Sequence, residues 1–491
     1  MSKESGLSPG RAWLCCVLLS SLICLATHPV PAQWQEESCL FSAQDSARTG
    51  YTNCRNLVVQ GDVVHSLWMD TENGKWRPTY RRSTDGGNTW EDAVHLAEPN
   101  TSWPRNLASF TVQESTVYAV WADERSGESQ VYLRISTDNG ESWEEDSRIT
   151  TEGFECSVPA IACANSAIHI VYQDTRTTSR HIKYIRSADG GAHWSDPVSI
   201  ADASYLEVAA ITAVGSVIHT CWYDYSFGNA EIFYRRSTDG GVTWENSVRL
   251  SQDPGVQNGC TIAVSGDDVH IAWHDYRTGF FDVHYVYSWD GGAHWGEEEP
   301  VMVTAYDCYF PTLAVSDQTL HLAWVDTRND PGDIYYCRSD DAGRTWGLEE
   351  PVISSPLKSL YPFLAVSGDA LHLLWTDDFR DVRHMRNPTG NAGTTVAGGP
   401  VAPTGYSFDQ NYPNPFTTRT RLQYSLSATA HIRITLHDML GRELRTLLDD
   451  MRNPGTHMLQ IDGSTLPAGN YLCRMTAGEE ALTRLITVVH Q

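Results

Sequence analysis

An all-β chain is the fold that this sequence predicts: a seven-bladed β-propeller closed by its N-terminal strand, followed by a small C-terminal immunoglobulin-like β-sandwich. Three observations predict it. An octapeptide of the form Ser-x-Asp-x-Gly-x-x-Trp returns six times at steps of 50 to 53 residues, and an aromatic-x-Asp motif returns seven times in the same register. Past residue 387 the composition turns to Gly, Thr and Pro before alternating strands resume. A fixed period means one supersecondary unit stacked on itself, and period-two alternation with no window of helical spacing makes that unit a set of antiparallel strands.

In chain order, residues 1–32 read as an export signal. Lys3 and Arg11 precede an apolar run from Trp13 to Ala26, and Val30-Pro31-Ala32 offers small residues for cleavage. Ile23 stands before Cys24 where lipid attachment wants a small residue, so Cys24 leaves with the signal. No later apolar stretch approaches the roughly 18 residues of a membrane span, so no transmembrane anchor is expected in the mature chain.

The 491 residues carry 35 Lys and Arg against 61 Asp and Glu, a formal charge of −26. That charge excludes nucleic acid as a partner, because phosphate recognition draws its affinity from cations that displace counterions. Hydrophobic residues at 41% can build sizeable cores, and 17 tryptophans imply a fold that uses Trp repeatedly. Of 12 cysteines, Cys15, Cys16 and Cys24 lie in the signal, and the nine that remain leave at least one thiol unpaired. No C-x-x-C spacing indicates zinc or redox chemistry. Cys54, Cys156, Cys260 and Cys308 each precede an inner strand; a disulfide between two such loops is open to them, and buried free thiols are the main expectation.

Residues 33–387 form the repeat region. The octapeptides are Ser83 to Trp90, Ser136 to Trp143, Ser187 to Trp194, Ser237 to Trp244, Ser288 to Trp295 and Ser339 to Trp346, with Asp85, Asp138, Asp189, Asp239, Asp290 and Asp341 at their third position. The second motif gives Asp70, Asp123, Asp174, Asp224, Asp275, Asp326 and Asp377, each two residues after Trp or, once, Tyr172. Each repeat reads as four short strands. The seventh stops at Asn387-Pro388 without an octapeptide, and Glu37 to Ser42 resembles the outer-strand segment Asn246 to Ser251. The N-terminal strand is therefore expected to complete the last blade.

The octapeptides resemble the Asp box, or BNR repeat, of sialidase-like propellers, a group that contains sialidases, other glycan hydrolases and non-enzymatic binding proteins. The resemblance covers about residues 38 to 387. It implies that the box is a folding device in the turn between third and fourth strands, remote from the binding face: Asp and Ser bond turn backbone, Gly accepts positive φ, and Trp packs in the blade. Repetition argues for scaffold elsewhere too. The Arg after Trp-x-Asp in five blades (Arg125, Arg176, Arg277, Arg328 and Arg380) suggests a structural partner for a buried Asp. His65, His169, His219, His270, His321 and His372, with Tyr118 in the remaining blade, read as packed strand residues rather than a metal ring.

A binding site must break the repeat, and its exceptions gather in the loops between second and third strands and between outer and next inner strands. Arg55 stands where other blades carry Pro159, Pro311 or Pro362, and Arg105 begins a matching Arg-Asn-Leu. Glu207 follows Tyr205, while Trp103, Tyr225, Phe227, Phe280, Phe281, Tyr306 and Tyr309 supply aromatic faces. Cations for a carboxylate, an acid and stacking rings fit a glycan site. The sialidase resemblance implies catalytic candidates Arg55, Arg105, Tyr205 and Glu207, in an arginine clamp with a Tyr and Glu pair. Arg55-Asn56-Leu57 stands in place of the family's Arg-Ile-Pro, and sialidase propellers have six blades. Three functions follow: recognition of an extracellular glycan or glycoprotein, exo-α-sialidase-like hydrolysis, and adhesion or scaffolding through a protein partner. No cofactor is expected; acidic clusters could hold a Ca²⁺ ion, although no contiguous calcium-loop spacing is present.

Residues 388–404 read as a Gly, Thr and Pro-rich linker. Residues 405–491 alternate in period two between Gly and Pro turns, with Asn414-Pro415-Phe416 and Leu466-Pro467-Ala468-Gly469-Asn470-Tyr471 as marked elements. This tail resembles the C-terminal sorting domain of proteins exported by type IX secretion. The resemblance implies a partner in that machinery, passage through the outer membrane and a protein that is secreted or held on the cell surface.

Overall fold

The computed structural model describes residues 34–391 and 406–489. Short interruptions fall at 44, 51–54, 101–106, 152, 177–178, 204–205, 253–254 and 303, then at 409–410, 412–413, 415, 417–418, 427–428, 440, 453–454, 464–465 and 478–479. The expected export signal lies outside the described residues, as do residues 392–404 of the expected linker.

Between Ser38 and Asn387 the described strands form seven antiparallel sheets. The fifth sheet gives the pattern, with inner strand Gln257–Ser265, second strand Asp268–Asp275, third strand Asp282–Ser288 and outer strand Glu299–Met302. The seventh sheet takes Ser359–Ser367, Ala370–Asp377 and Asp381–Asn387 from one end of the repeat region and Ser38–Ser42 from the other. Ser38 stands opposite His384 and Ser42 opposite Asp381, so the N-terminal strand supplies the outer strand, as the sequence predicts. Inner strands of neighbouring sheets run side by side, the seventh against the first. Residues from all seven line one central cavity of about 330 Å³.

Each octapeptide is tied internally. Ser83 Oγ donates to Asp85 Oδ1 at 2.8 Å and accepts from Gly87 N at 2.8 Å, while Thr89 donates to Asp85 from its N and its Oγ1. These bonds hold the Asp85 carboxyl down at about 2, led by the bonds from Thr89. Asp189 and Asp239 are held at about 2 by the same arrangement, with His193 and Thr243 as the leading donors.

The turns also join sheet to sheet. Tyr184 of the third sheet packs edge-on against Trp244 of the fourth, with ring centroids 4.9 Å apart, and a Cβ on Gly241 would overlap its hydroxyl. Behind each such tyrosine sits a repeated histidine. His65, His169, His219, His270 and His321 place Nδ1 within 2.6–2.7 Å of Tyr80, Tyr184, Tyr234, Tyr285 and Tyr336. Arg82, Arg186 and Arg236 donate to carbonyls of the next octapeptide. The second sheet confirms the linkage by losing it whole: Tyr118 replaces the histidine, and Leu133 and Ile135 pack against Gly191 instead of Tyr and Arg.

The seventh sheet ends on a reduced version of this turn. Asn387 Oδ1 accepts from Thr389 N, Arg338 of the sixth sheet donates to Gly390 O at 2.6 Å, and His321 Nε2 lies 3.0 Å from Asn391 Oδ1. Residues 388–391, expected to open the linker, thus occupy the octapeptide's place without its Ser, Asp or Trp.

The aromatic-x-Asp motif is scaffold. Trp68, Trp121, Trp222, Trp273, Trp324 and Trp375 are fully buried. Asp123, Asp275 and Asp326 bind Arg125, Arg277 and Arg328 at 2.9 Å through Nε, and each arginine reaches a second acid, Asp146, Glu298 or Glu349. In the seventh sheet the partner of Asp377 is Arg383, at 2.8 Å, rather than the expected Arg380. The three-residue turn at 378–380 brings the third strand's own arginine beside the acid.

The tail holds two further sheets. One comprises Tyr406–Phe408, Arg419–Leu426 and Gly455–Asp462; the other comprises Ala430–His437, Glu443–Arg452, Gly469–Ala477 and Glu480–Val488. Their apolar faces share one core that includes Phe408, Leu422, Ile434, Cys473 and Ile486. The two marked motifs are fasteners. Asn414 exchanges bonds with Leu485 O and Thr487 N, Phe416 is buried, and the Tyr471 hydroxyl donates to Pro467 O at 2.6 Å.

Candidate functional site

The inner strands line the cavity, and the backbone near their starts is bent. In sheets three to seven the ladder between inner and second strands slips at one place, between Ser157 and Ala160, Glu207 and Ala210, Asn258 and Thr261, Tyr309 and Thr312, and Leu360 and Phe363. Such a bulge re-aims side chains at a sheet end. Val158, Phe310 and Tyr361 hold φ between 51° and 53° at these bulges, each before a proline, and the fifth sheet carries Gly259 there. Left-handed backbone at bulky residues costs about 1–3 kcal/mol each and persists where the surroundings impose it.

The first sheet is built differently. Its inner strand comes in two pieces, Ala47–Arg48 and Leu57–Gln60. Between them Thr49 bonds Thr376 Oγ1 and Tyr361 O of the seventh sheet at 3.0 Å. Arg55 stands where the chain returns, with its N bound to Ser109 Oγ and its O accepting from Phe110 N. Its partly buried side chain enters the central cavity. Among the described residues lining that cavity, Arg55 carries the one charge, alongside Ser109, Thr212, Thr261 and Thr312. Burial lowers the Arg55 guanidinium from its ordinary value, and no described carboxylate compensates it. Burial pushes the neighbouring Cys163 thiol up to about 12, with Arg55 opposing.

A chain of aromatic rings runs across sheets five, six, seven and one. Phe281 lies 5.0 Å from Tyr276 and 5.2 Å from Tyr309; Tyr309 adjoins Phe310, which lies 4.7 Å from Tyr361. Arg48 stands over Tyr361, Phe379 and Trp76 at 5.4–5.7 Å. His274 is buried edge-on to Phe281, Tyr309 and Phe310, and burial lowers it to about 3, so it adds no charge. Gly259 makes room for it, since a Cβ there would overlap the imidazole. Burial, reinforced by Asp307, pushes the Tyr309 phenol up to about 12.

Of the residues expected at the site, Phe280, Phe281, Tyr306 and Tyr309 come together where Phe281 N donates to Asp307 Oδ1 at 2.9 Å. Phe280 and Tyr306 are among the exposed large side chains. Tyr225 instead packs toward Tyr223, and Phe227 stands apart, 61% exposed, under Arg249 and against Phe233. Trp103, Arg105 and Tyr205 lie outside the described residues, while Glu207 pairs with Tyr223 in the fourth sheet through its backbone.

The register corrects the expected match between the two Arg-Asn-Leu stretches. Val58 pairs with His65 and Thr111 with Tyr118, so Ala108, three residues beyond Arg105, holds the place of Arg55. His274, Tyr276, Phe310, Tyr361, Phe379, Arg48 and Trp76 stand in this cluster without having been expected there from the sequence. An aromatic residue directly before Pro311 and Pro362 was the available signal for two of them. Among the described residues, no group of three His, Cys, Asp or Glu side chains is placed to hold a metal ion. No described helix is long and apolar enough to cross a membrane.

Comparison with known proteins adds fold and destination. No curated protein matches the sequence. An ulvan lyase of a new polysaccharide lyase family, solved bound to -[GlcA(1-4)Rha3S]-, is similar at 11% identity and a TM-score of 0.53, over 71% of this chain and 95% of that one. Polysaccharide lyase Uly1 is similar at 10% identity and a TM-score of 0.50, over 72% and 100%. The Hadza microbial sialidase Hz136 shows 14% identity and a TM-score of 0.43, over 71% and 68%. Residues 410–489 match the secretion system C-terminal sorting domain. The chain thus joins a β-propeller, similar in fold to those of polysaccharide lyases, to a sorting domain that directs proteins by type IX secretion to the cell surface or the medium.

Proposed function

We propose that this protein is a secreted or surface-attached sialidase-like propeller that recognises an extracellular glycan or glycoprotein through an acidic sugar. The observation that carries the reading is Arg55, a guanidinium without a described carboxylate in a cavity otherwise lined by apolar and hydroxyl side chains. A partly buried cation in that state gains from a carboxylate or sulfate, which supplies the charge and the bidentate acceptors its own fold withholds. Phe280, Phe281, Tyr306 and Tyr309 would stack on the less polar faces of the sugar, and the hydroxyls of Thr261 and Thr312 would meet its polar edge.

Hydrolysis or elimination of such a glycan is the second reading, favoured by the similarity in fold to polysaccharide lyases. Tyr309 is no ready nucleophile, because its phenol is pushed up rather than down. The test is a glycan array spanning neutral, carboxylated and sulfated oligosaccharides, followed by turnover assays on each hit. Retention confined to acidic glycans and lost in Arg55→Met supports the proposal. Retention of neutral glycans alone contradicts it. Turnover of a hit moves the protein to the enzyme reading.

A further inference from the structure

The repeat allows a residue-by-residue comparison of the seven contacts between neighbouring sheets. At each, the residue before the Trp or Tyr of the second strand lines up with the position of the next inner strand that lies three residues before the partner of that sheet's repeated His or Tyr118. In the first contact these are Leu67 and Ala108, and in the third Val171 and Ala209, each pair sharing one apolar cluster. The remaining second-strand positions hold Val120, Ala272, Ala323 and Leu374, and the facing positions hold Pro159, Pro311, Pro362 and Arg55. Cysteine occurs at two of these fourteen positions, Cys221 and Cys260, and they belong to the same contact, between the fourth and fifth sheets. Their thiols are hydrogen-bonded to one another, and both side chains are almost wholly buried. No disulfide joins them in this structure.

We propose that Cys221 and Cys260 are joined by a disulfide in the exported protein, an inter-sheet staple installed by a disulfide-carrying thiol oxidoreductase of the export compartment. One cysteine thiolate attacks the oxidoreductase disulfide, forming a mixed disulfide and releasing one of its sulfurs as a thiolate. The second cysteine thiolate then attacks the protein sulfur of that mixed disulfide and expels the oxidoreductase's other sulfur. Two electrons and the two thiol protons pass to the oxidoreductase, which leaves as a dithiol. Exchange requires access, so the bond forms before the fifth sheet docks on the fourth. Afterwards burial shields it from reductants, the behaviour of a structural rather than a regulatory disulfide.

The full chain, exported with its own leader and recovered without reductant, tests this by alkylation after denaturation. Nine cysteines follow residue 32. The expected result is alkylation of seven before reduction and of the remaining two only after it, with a peptide pair linking Cys221 to Cys260. Cys221→Ser is expected to leave Cys260 alkylated without reduction, and Cys260→Ser to do the same for Cys221. Alkylation of both Cys221 and Cys260 in the unreduced wild-type protein, or a bridge that joins either to another cysteine, overturns the proposal.

Discussion

Burial holds His65, His169, His219 and His321 at about 4, where an exposed imidazole titrates near 6.5. Each is neutral in the fold and shares a hydrogen bond with a tyrosine that reaches toward the next sheet. The folded values lie below the unfolded one, so their contribution to stability is complete above about pH 6.5 and is lost as pH falls toward 4. Protons bind the unfolded chain first, and each histidine accounts for on the order of 1–3 kcal/mol. Denaturation midpoints measured from pH 7.5 to 4 are expected to fall steeply below pH 6, and a flat profile would contradict the buried His and Tyr pairs. The same residues show what sequence can reveal. Six histidines in one register read correctly as scaffold, whereas His274 was invisible, because a lone histidine beside Trp273 resembles any strand residue until Phe281, Tyr309 and Phe310 close around it.

Among the elements, the octapeptide turn does two jobs, closing a hairpin on itself and receiving a side chain from the sheet before it. Gly241 separates them. It has φ of 83° and lies against the Tyr184 hydroxyl, whereas Gly215, at φ of 59°, has open space around it. Gly215→Ala is expected to cost about 1 kcal/mol for left-handed backbone alone. Gly241→Ala adds the overlap and is expected to cost about 3 kcal/mol or more. Equal losses in chemical denaturation would refute the inter-sheet contact. Ring closure rests on Ser38–Ser42, and removing residues 34–42 exposes the edge of Asp381–Asn387. The melting temperature of that variant is expected to drop by several degrees, with a new tendency to associate, and an unchanged melt and monomer would count against closure. The repeated strands were legible because each blade restates the others. The split first strand, the turn at 387–391 and the exchange of Arg383 for Arg380 were not, because each departs from the repeat and is fixed by contacts distant in sequence.

Over the whole molecule, the charge of −26 works against an acidic ligand, and Arg55, the one charge among the described residues lining the cavity, is set to overcome it locally. Repulsion between protein and ligand acts over the Debye length and weakens with salt, while a desolvated guanidinium and carboxylate pair is screened far less. Arg55 was legible as a break in the repeat, yet its seclusion from acids depends on the inner strands meeting at one cavity, which no single blade encodes. The most direct measurement is the affinity of an acidic oligosaccharide and its carboxyl-reduced, neutral counterpart for the wild-type protein and for Arg55→Met. Losing either the sugar carboxylate or the guanidinium is expected to weaken binding by about 30- to 5,000-fold, the 2–5 kcal/mol of a broken buried charge pair. Losing both is expected to cost little more than losing one. Equal affinity for the acidic and neutral sugars, or losses that simply add, would contradict the assignment of Arg55 to the ligand's acid.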